Sequence, residues 1–240
     1  LFYLDKDTKE LTRFSTLDGL SEIEISSIAY DKKRDIILIG YQSGNIDIIA
    51  NGEIKNIPEI LNTSNITGSK KINHILIQEK YALLSCNFGI VKFDLNKIEV
   101  SDTYKIGVNN TNEPILQSTI FQDTIYAATN NGIFKAYVNN PLLSFSDNWS
   151  QFHFKGLLPD SSYINAIAST TEYLMFNLVG EGTSNEQQYI LENNSLFLSP
   201  SNNIYSVSAI KSLNNKIILT GIFYSRLYHS LTDYTHFMNH

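Results

Sequence analysis

Runs of apolar residues recur along the chain and alternate with short polar breaks. Ile36 to Tyr41 is apolar at nearly every position, as are Tyr81 to Cys86 and Ile125 to Thr129, and the same pattern returns more weakly at Tyr173 to Leu178 and Ile217 to Tyr224. An apolar run of five to eight residues between turn signals predicts a strand buried on both faces. A further run precedes each: Ile25 to Tyr30, Ile72 to Gln78, Ile115 to Gln122, Tyr163 to Ser169 and Ile204 to Leu213. Polar turns such as Asp31-Lys32-Lys33-Arg34-Asp35 and Asn214-Asn215 join the members of a pair.

A glycine punctuates the pattern at Gly44, Gly89 and Gly132, 45 and 43 residues apart. After it come an apolar residue (Ile46, Val91, Phe134) and a charged one (Asp47, Lys92, Lys135). That alternation predicts a third strand. A more polar fourth closes each unit, as at Glu53 to Ile57 and Glu99 to Ile106. A repeat of about 40–50 residues with four strands is the signature of a propeller blade. Face-to-face blades hide their inner strands, and the second strand of each unit is expected to be such an inner one. No window of a dozen residues carries a helical apolar period with an N-terminal cap, and Ile57 to Leu61 is long enough for a single turn only.

The expected fold class is therefore all-β, a β-propeller of four-stranded antiparallel blades. Blade repeats fall near 1–20, 21–60, 70–107, 114–155, 162–199 and 203–240, as one partial domain over 1–240. Leu1 to Leu4 and Leu11 to Phe14 align with the outer strands Ile90 to Asp94 and Val100 to Tyr104. The ring is thus expected to be incomplete, about five to six blades of an expected seven. Because the chain opens on Leu1 inside a strand, its natural start, with any targeting segment, is expected upstream.

Composition narrows the function. Fourteen Tyr and thirteen Phe against two Met suit pleated strands. A net charge of −6 leaves nothing to neutralise a run of phosphates, so no nucleic-acid partner is expected. No apolar stretch is long enough for a transmembrane helix. The single cysteine, Cys86, excludes an internal disulfide and lies in an apolar run, as a buried hydrophobe would.

Catalytic and metal chemistry is sought without success. His74, His153, His229, His236 and His240 show no zinc-ligand spacing. Asp5, Asp7 and Glu10 lack the glycine and terminal glutamate of an EF-hand and read as a hairpin turn. Gly-x-Ser-x-Gly, HExxH, phosphate-cradling and sialidase Ser-x-Asp-x-Gly motifs are absent. Asn-x-Ser/Thr triplets at Asn62, Asn65, Asn109, Asn148 and Asn193 read as chance in an Asn- and Ser-rich chain. No enzyme activity, metal or cofactor is expected. Binding is expected at loops beside the marker glycines, with Tyr41, Asn45, Phe88 and Asn131 as candidates, against the plainer reading of blade packing and turn formation. Trp149 reads as a packing anchor.

Specific strings go further. Ser15-Thr16-Leu17-Asp18-Gly19-Leu20-Ser21, Ile25 to Tyr30, Ile39-Gly40-Tyr41-Gln42-Ser43-Gly44-Asn45-Ile46-Asp47, Gly68 to Asn73, Phe88-Gly89-Ile90-Val91 and Ile125 to Ile133, with Asn140-Pro141 and Trp149 downstream, resemble the N-terminal propeller of the PorZ family. The resemblance is specific from Leu1 to Trp149, and the tail after Tyr224 departs from it. It implies a non-catalytic binding or scaffold module of the type IX secretion system, followed in the family by a second propeller and a β-sandwich. It also implies a location at the cell surface, on the outer-membrane exterior or in the periplasm. The implied partners are a sortase-type component and the anionic lipopolysaccharide that it attaches to secreted cargo. The alternative is the periplasmic sensor propeller of a hybrid two-component receptor binding an oligosaccharide.

Overall fold

The computed structural model describes residues 1–4, 7–107, 112–153, 162–180, 186–199, 207–221, 224–228 and 234–238, the last two segments by their backbone alone. Asp5, Asn109, His229, His240, the side chain of His236 and the first part of the run from Ile204 lie outside the described residues.

Strands β1 (Phe2–Leu4) and β2 (Leu11–Arg13) form a hairpin. Among the described residues five four-stranded sheets follow, each with its strands in chain order. The first holds β3 (Ile25–Asp31), β4 (Ile36–Tyr41), β5 (Ile46–Ala50) and β6 (Glu53–Ile57). The second holds β7 (Ile72–Ile77), β8 (Tyr81–Cys86), β9 (Gly89–Asp94) and β10 (Glu99–Tyr104), and the third β11 (Gln117–Phe121), β12 (Thr124–Thr129), β13 (Gly132–Tyr137) and β14 (Ser150–Gln151). The fourth holds β15 (Tyr163–Ser169), β16 (Leu174–Val179), β17 (Gln187–Glu192) and β18 (Ser195–Leu198), and the fifth β19 (Ala209–Leu213), β20 (Lys216–Thr220), β21 (Tyr224–Tyr228) and β22 (Tyr234–Met238). Antiparallel meanders of this kind are the blades of a β-propeller. Helix among the described residues is one turn, α1 (Glu59–Asn62), and two 3₁₀ turns at Thr16–Asp18 and Ser146–Asn148.

The turns follow from residue type. Asn51-Gly52, Gln122-Asp123, Asn193-Asn194 and Asn214-Asn215 all have positive φ at both positions. Two such residues make the tight hairpin whose twist matches its strands, and asparagine tolerates that region better than other side chains. The run Ile217 to Tyr224 is two strands rather than one, with Gly221 between β20 and β21. Its apolar continuity hides the reversal because the break carries a glycine without the usual polar cluster.

The sequence reading of the second strands as inner ones is corrected. β4 and β8 are almost wholly buried, but they are middle strands. The third strands are as deeply buried, including Asp47, whereas the fourth strands and the first strands β3 and β7 are more exposed; the first strand β11 is buried at four of its five positions. First strands of successive sheets also meet directly within each unit. Ser26 Oγ donates to the Ile72 carbonyl at 2.7 Å, and Asn165 Nδ2 to the Val207 carbonyl at 2.8 Å. Consecutive apolar residues mark a strand covered on both faces, wherever it lies in the sheet.

The chain clusters into two compact units, Leu1–Cys86 with Val91–Ser101, and Asn87–Ile90 with Asp102–His240. In the first, Leu20, Ile39, Tyr41 and Ile49 form a core against which Leu1, Phe14, Ile25, Ile37 and Ile54 pack. In the second, Phe121, Tyr126, Ile133, Ile167, Leu174, Phe176 and Tyr189 fill the space between the third and fourth sheets. Phe176 and Tyr189 stack at 5.6 Å. Each buried side chain of this size stabilises the fold by about 1.5–3 kcal/mol.

One polar side chain ties three sheets of the second unit. Gln117 on β11, 8% exposed, donates through Nε2 to the Ile210 carbonyl of β19 at 2.7 Å and accepts from the Ile167 amide of β15 at 3.3 Å. Gln117→Leu keeps the volume but strands a buried N–H and a buried carbonyl. A stability loss of about 2 kcal/mol is expected in urea titrations. An unchanged midpoint would show that water replaces the amide.

Candidate binding surface

The marker glycines sit where the second strand turns into the third, and all three have positive φ: 89° at Gly44, 133° at Gly89 and 109° at Gly132. In the first turn the Gly44 amide donates to the Tyr41 carbonyl at 3.2 Å, and the Tyr41 amide to the Asn45 carbonyl at 3.1 Å. The turn is closed by its own backbone, which governs where its side chains go.

Tyr41 is fully buried, and its hydroxyl donates to Asp47 Oδ2 at 2.6 Å. Asn45 is 4% exposed; its Oδ1 accepts from the Ile46 amide at 3.0 Å and from Asn56 Nδ2 at 2.9 Å. Phe88 is also buried, at 5%. Of the four residues that the sequence nominates for binding, these three present no side-chain surface. Asn131 does: it is exposed, and its Nδ2 donates to Glu113 Oε2 at 2.9 Å. Its amide donates to Thr129 Oγ1 at 3.0 Å and its carbonyl accepts from Gln151 Nε2 at 2.9 Å, so the turn presents this side chain from a fixed backbone. Trp149 is buried, with Nε1 donating to the Leu143 carbonyl at 2.9 Å and its ring 6.2 Å from that of Tyr104.

A fully buried carboxylate escaped sequence reasoning. Asp47, without solvent exposure, accepts from the Ser21 amide (2.7 Å), Ser21 Oγ (2.6 Å), Tyr41 Oη (2.6 Å) and Asn56 Nδ2 (3.0 Å). Burial alone would raise its pKa, but the donors from Ser21, Tyr41 and Asn56 hold the carboxyl below its ordinary value. Tyr41 is shifted up, by burial first and then by the carboxylate beside it. Lys92 and Lys135 hold the same place in their repeats with the opposite fate. Each lays its ammonium over a ring, Lys92 over Tyr81 at 4.8 Å and Lys135 over Phe152 at 5.1 Å. In the fourth sheet Gln188, second in its third strand as Asp47 is in β5, donates to Asn177 Oδ1 at 2.7 Å, and Asn177 donates to Asn165 Oδ1 at 2.8 Å. A change of charge sign at a repeat position was the one available hint, and Ser21 lies 26 residues from its partner.

These groups are arranged to hold structure. Asp47 spends its lone pairs on four donors and lies away from solvent, so it is not placed to take a substrate proton. Burial pushes the Cys86 thiol up and keeps it from acting as a nucleophile. No cluster of three His, Cys, Asp or Glu side chains able to hold a metal occurs among the described residues. No helix among them is long and apolar enough to cross a membrane.

Comparisons with known proteins agree with this fold. Among solved structures, PorZ of Porphyromonas gingivalis, described as an essential bacterial surface component of the type IX secretion system, superposes with a TM-score of 0.81 at 20% identity. The match covers 98% of this chain and 30% of that one, so the chain spans less than a third of the PorZ structure. The β-propeller domain of Cps50 (Swd1) of Myceliophteria thermophila gives 0.60 at 10% identity, over 92% of this chain and 73% of that one. Hydrazine synthase of Kuenenia stuttgartiensis gives 0.64 at 11%, over 94% and 69%. At such identities the likeness is one of fold. No curated protein matches. The family model described as the type IX secretion PorZ N-terminal β-propeller domain matches residues 1–150, and the chain belongs to that family.

Proposed function

We propose that this chain is a non-catalytic propeller module of a type IX secretion component at the cell surface, assisting the sortase-linked attachment of anionic lipopolysaccharide to secreted cargo. The observation that carries this reading is the family match over residues 1–150. The interior is consistent with it, because the buried carboxylate and amides are engaged in holding sheets and turns.

The net charge of −6 gives an anionic glycolipid no long-range attraction. Contact on this reading is local, through neutral donors on rigid turns, and Asn131 is the nominated side chain with surface to offer. The test is titration of purified anionic lipopolysaccharide against the purified protein, with neutral lipopolysaccharide as control. Saturable binding of the anionic form is expected, weakened about tenfold by Asn131→Ala, which corresponds to about 1.4 kcal/mol. Preference for a free neutral oligosaccharide would favour a sensor propeller. Loss of the gene should leave cargo unattached at the surface, and normal attachment in its absence would overturn the reading.

A further inference from the structure

Charge is unevenly shared along the chain. Residues 156–210 carry five Asp or Glu and no Lys, Arg or His, and so account for five of the six net negative charges. The fourth sheet, β15 to β18, lies in this stretch. Glu172 is exposed in the turn between β15 and β16, and Glu192 ends β17 beside the turn into β18. In a meander those two turns share one end of the sheet. Glu186 accepts from the Val207 amide at 2.7 Å and from Asn177 Nδ2 at 3.2 Å, whereas no ion pair among the described residues engages Glu172 or Glu192.

The same sheet has the least guarded edge among the fourth strands whose side chains are described. Natural edge strands are kept from further pairing by charge, brevity or cover. β6 carries Glu53 and Lys55, and β14 is two residues long. β10 carries Glu99 and Asp102, and its Val100 amide donates to Glu59 Oε2 at 2.9 Å. β18, Ser195-Leu196-Phe197-Leu198, has no charge, and Leu198 is 38% exposed. The Ser199 amide donates to the Gln188 carbonyl at 2.7 Å, so the alternation of an antiparallel pair turns the N–H and C=O groups of Leu196 and Leu198 away from β17. Leu196 packs against the core between the third and fourth sheets, and Phe197 against the one shared with β19 and β20. A strand added there finds apolar neighbours on both faces.

We propose that the outer edge of β18 is a docking site for an extended, basic segment of a partner polypeptide, which adds to the fourth sheet as a fifth strand. The outward N–H and C=O groups of Leu196 and Leu198 define the occupant as a strand, because another extended backbone matches their spacing. The uncompensated acid at Glu172 and Glu192 defines its charge: Lys or Arg at the end next to the β17–β18 turn. A second copy of this chain would bring the same acid to the contact and is disfavoured by it. The proposal is independent of the glycolipid reading above, because Asn131 belongs to the third sheet.

Amide hydrogen exchange of the protein with the synthetic peptide Lys-Lys-Thr-Val-Thr-Val-Thr, followed by NMR, tests it. The Leu196 and Leu198 amides are expected to exchange fast in the protein alone and about tenfold slower with saturating peptide, an effect that fades as ionic strength rises. A peptide with Glu-Glu in place of Lys-Lys, and the Lys-Lys peptide with its backbone amides N-methylated, should give no slowing. Equal slowing by all three peptides, or by none, overturns the proposal. So does slow exchange in the protein alone: independent of concentration, it means that the chain covers its own edge; growing with concentration, it identifies a second copy. Leu198→Lys guards the edge and should abolish the slowing at Leu196 with the melting temperature unchanged. Glu192→Gln, which leaves the backbone pairing of β17 in place, should weaken peptide binding about threefold. Unchanged peptide binding in either folded variant overturns the proposal as well.

Discussion

Replacing Asp47 with alanine is expected to cost about 3–5 kcal/mol at neutral pH. The carboxylate is fully buried and accepts from four donors: the Ser21 amide, Ser21 Oγ, Tyr41 Oη and Asn56 Nδ2. Alanine leaves all four facing an apolar gap, and each stranded donor costs on the order of 1–3 kcal/mol before relaxation and water entry reduce the sum. Tyr41→Phe removes one donor and keeps the ring among Leu20, Ile39 and Ile49, so about 1–2 kcal/mol is expected there. The pH dependence has a definite sign. The folded-state pKa of Asp47 lies below its ordinary value, so the folded state binds its proton less readily than the unfolded chain. The stabilisation is present above the unfolded value of about 3.9 and is lost as pH falls through the folded value beneath it. The gap between wild type and Asp47→Ala, measured by urea denaturation, should stay constant from pH 7 to pH 5 and narrow below about pH 4. A gap under 1 kcal/mol at pH 7, or one that persists unchanged at pH 3, would falsify the assignment of Asp47 as the clamp on Ser21.

The same carboxylate marks the limit of what the sequence conveys. Strand positions were legible because apolar continuity and polar turns are local properties: Ile36 to Tyr41, Tyr81 to Cys86 and Tyr163 to Ser169 coincide with β4, β8 and β15. The meander within each sheet was legible for the same reason, since short turns join neighbours. Which strand is covered on both faces depends on what packs against the sheet. The buried third strands and the meeting first strands were therefore not foreseen. Binding candidates suffered from the same gap. A residue beside a turn glycine points outward or inward according to backbone partners that the string of letters does not display. Tyr41, Asn45 and Phe88 turned inward, and Asn131, whose backbone is held by Thr129 and Gln151, stayed at the surface. Bulge residues such as Ser26 and Asn165 were read as ordinary strand members, because an extra residue is visible only against its partner strand.

The marker glycine Gly89 should tolerate alanine worst among the turn positions, with an expected loss of about 3–5 kcal/mol. Its φ of 133° is a conformation that side-chain-bearing residues rarely adopt, and strain of that kind costs on the order of 1–3 kcal/mol. A Cβ built there also runs into the Tyr104 carbonyl oxygen, with the Tyr104 carbonyl carbon 3.3 Å and Lys105 Cα 3.7 Å away. Every one of these atoms is backbone, so no side chain can rotate to make room. Either the turn or the end of β10 has to move, at a further cost of about 1–3 kcal/mol. Gly52 separates the two contributions. Its φ is 79°, but a Cβ there meets nothing within 4 Å, so Gly52→Ala should show strain alone, about 1–2 kcal/mol. The single tryptophan offers a local readout, because Trp149 is buried with its ring 6.2 Å from that of Tyr104. Gly89→Ala should shift or quench Trp149 emission in the absence of denaturant, and Gly52→Ala should leave it as in the wild type. Equal losses from the two substitutions, with Trp149 emission unmoved in both, would mean that the backbone around Gly89 yields without cost and that the glycine marks only a turn. A larger loss at Gly89 accompanied by the spectral change ties the repeating glycine to the close approach of the fourth strand, which is what makes a side chain intolerable at that point of the blade.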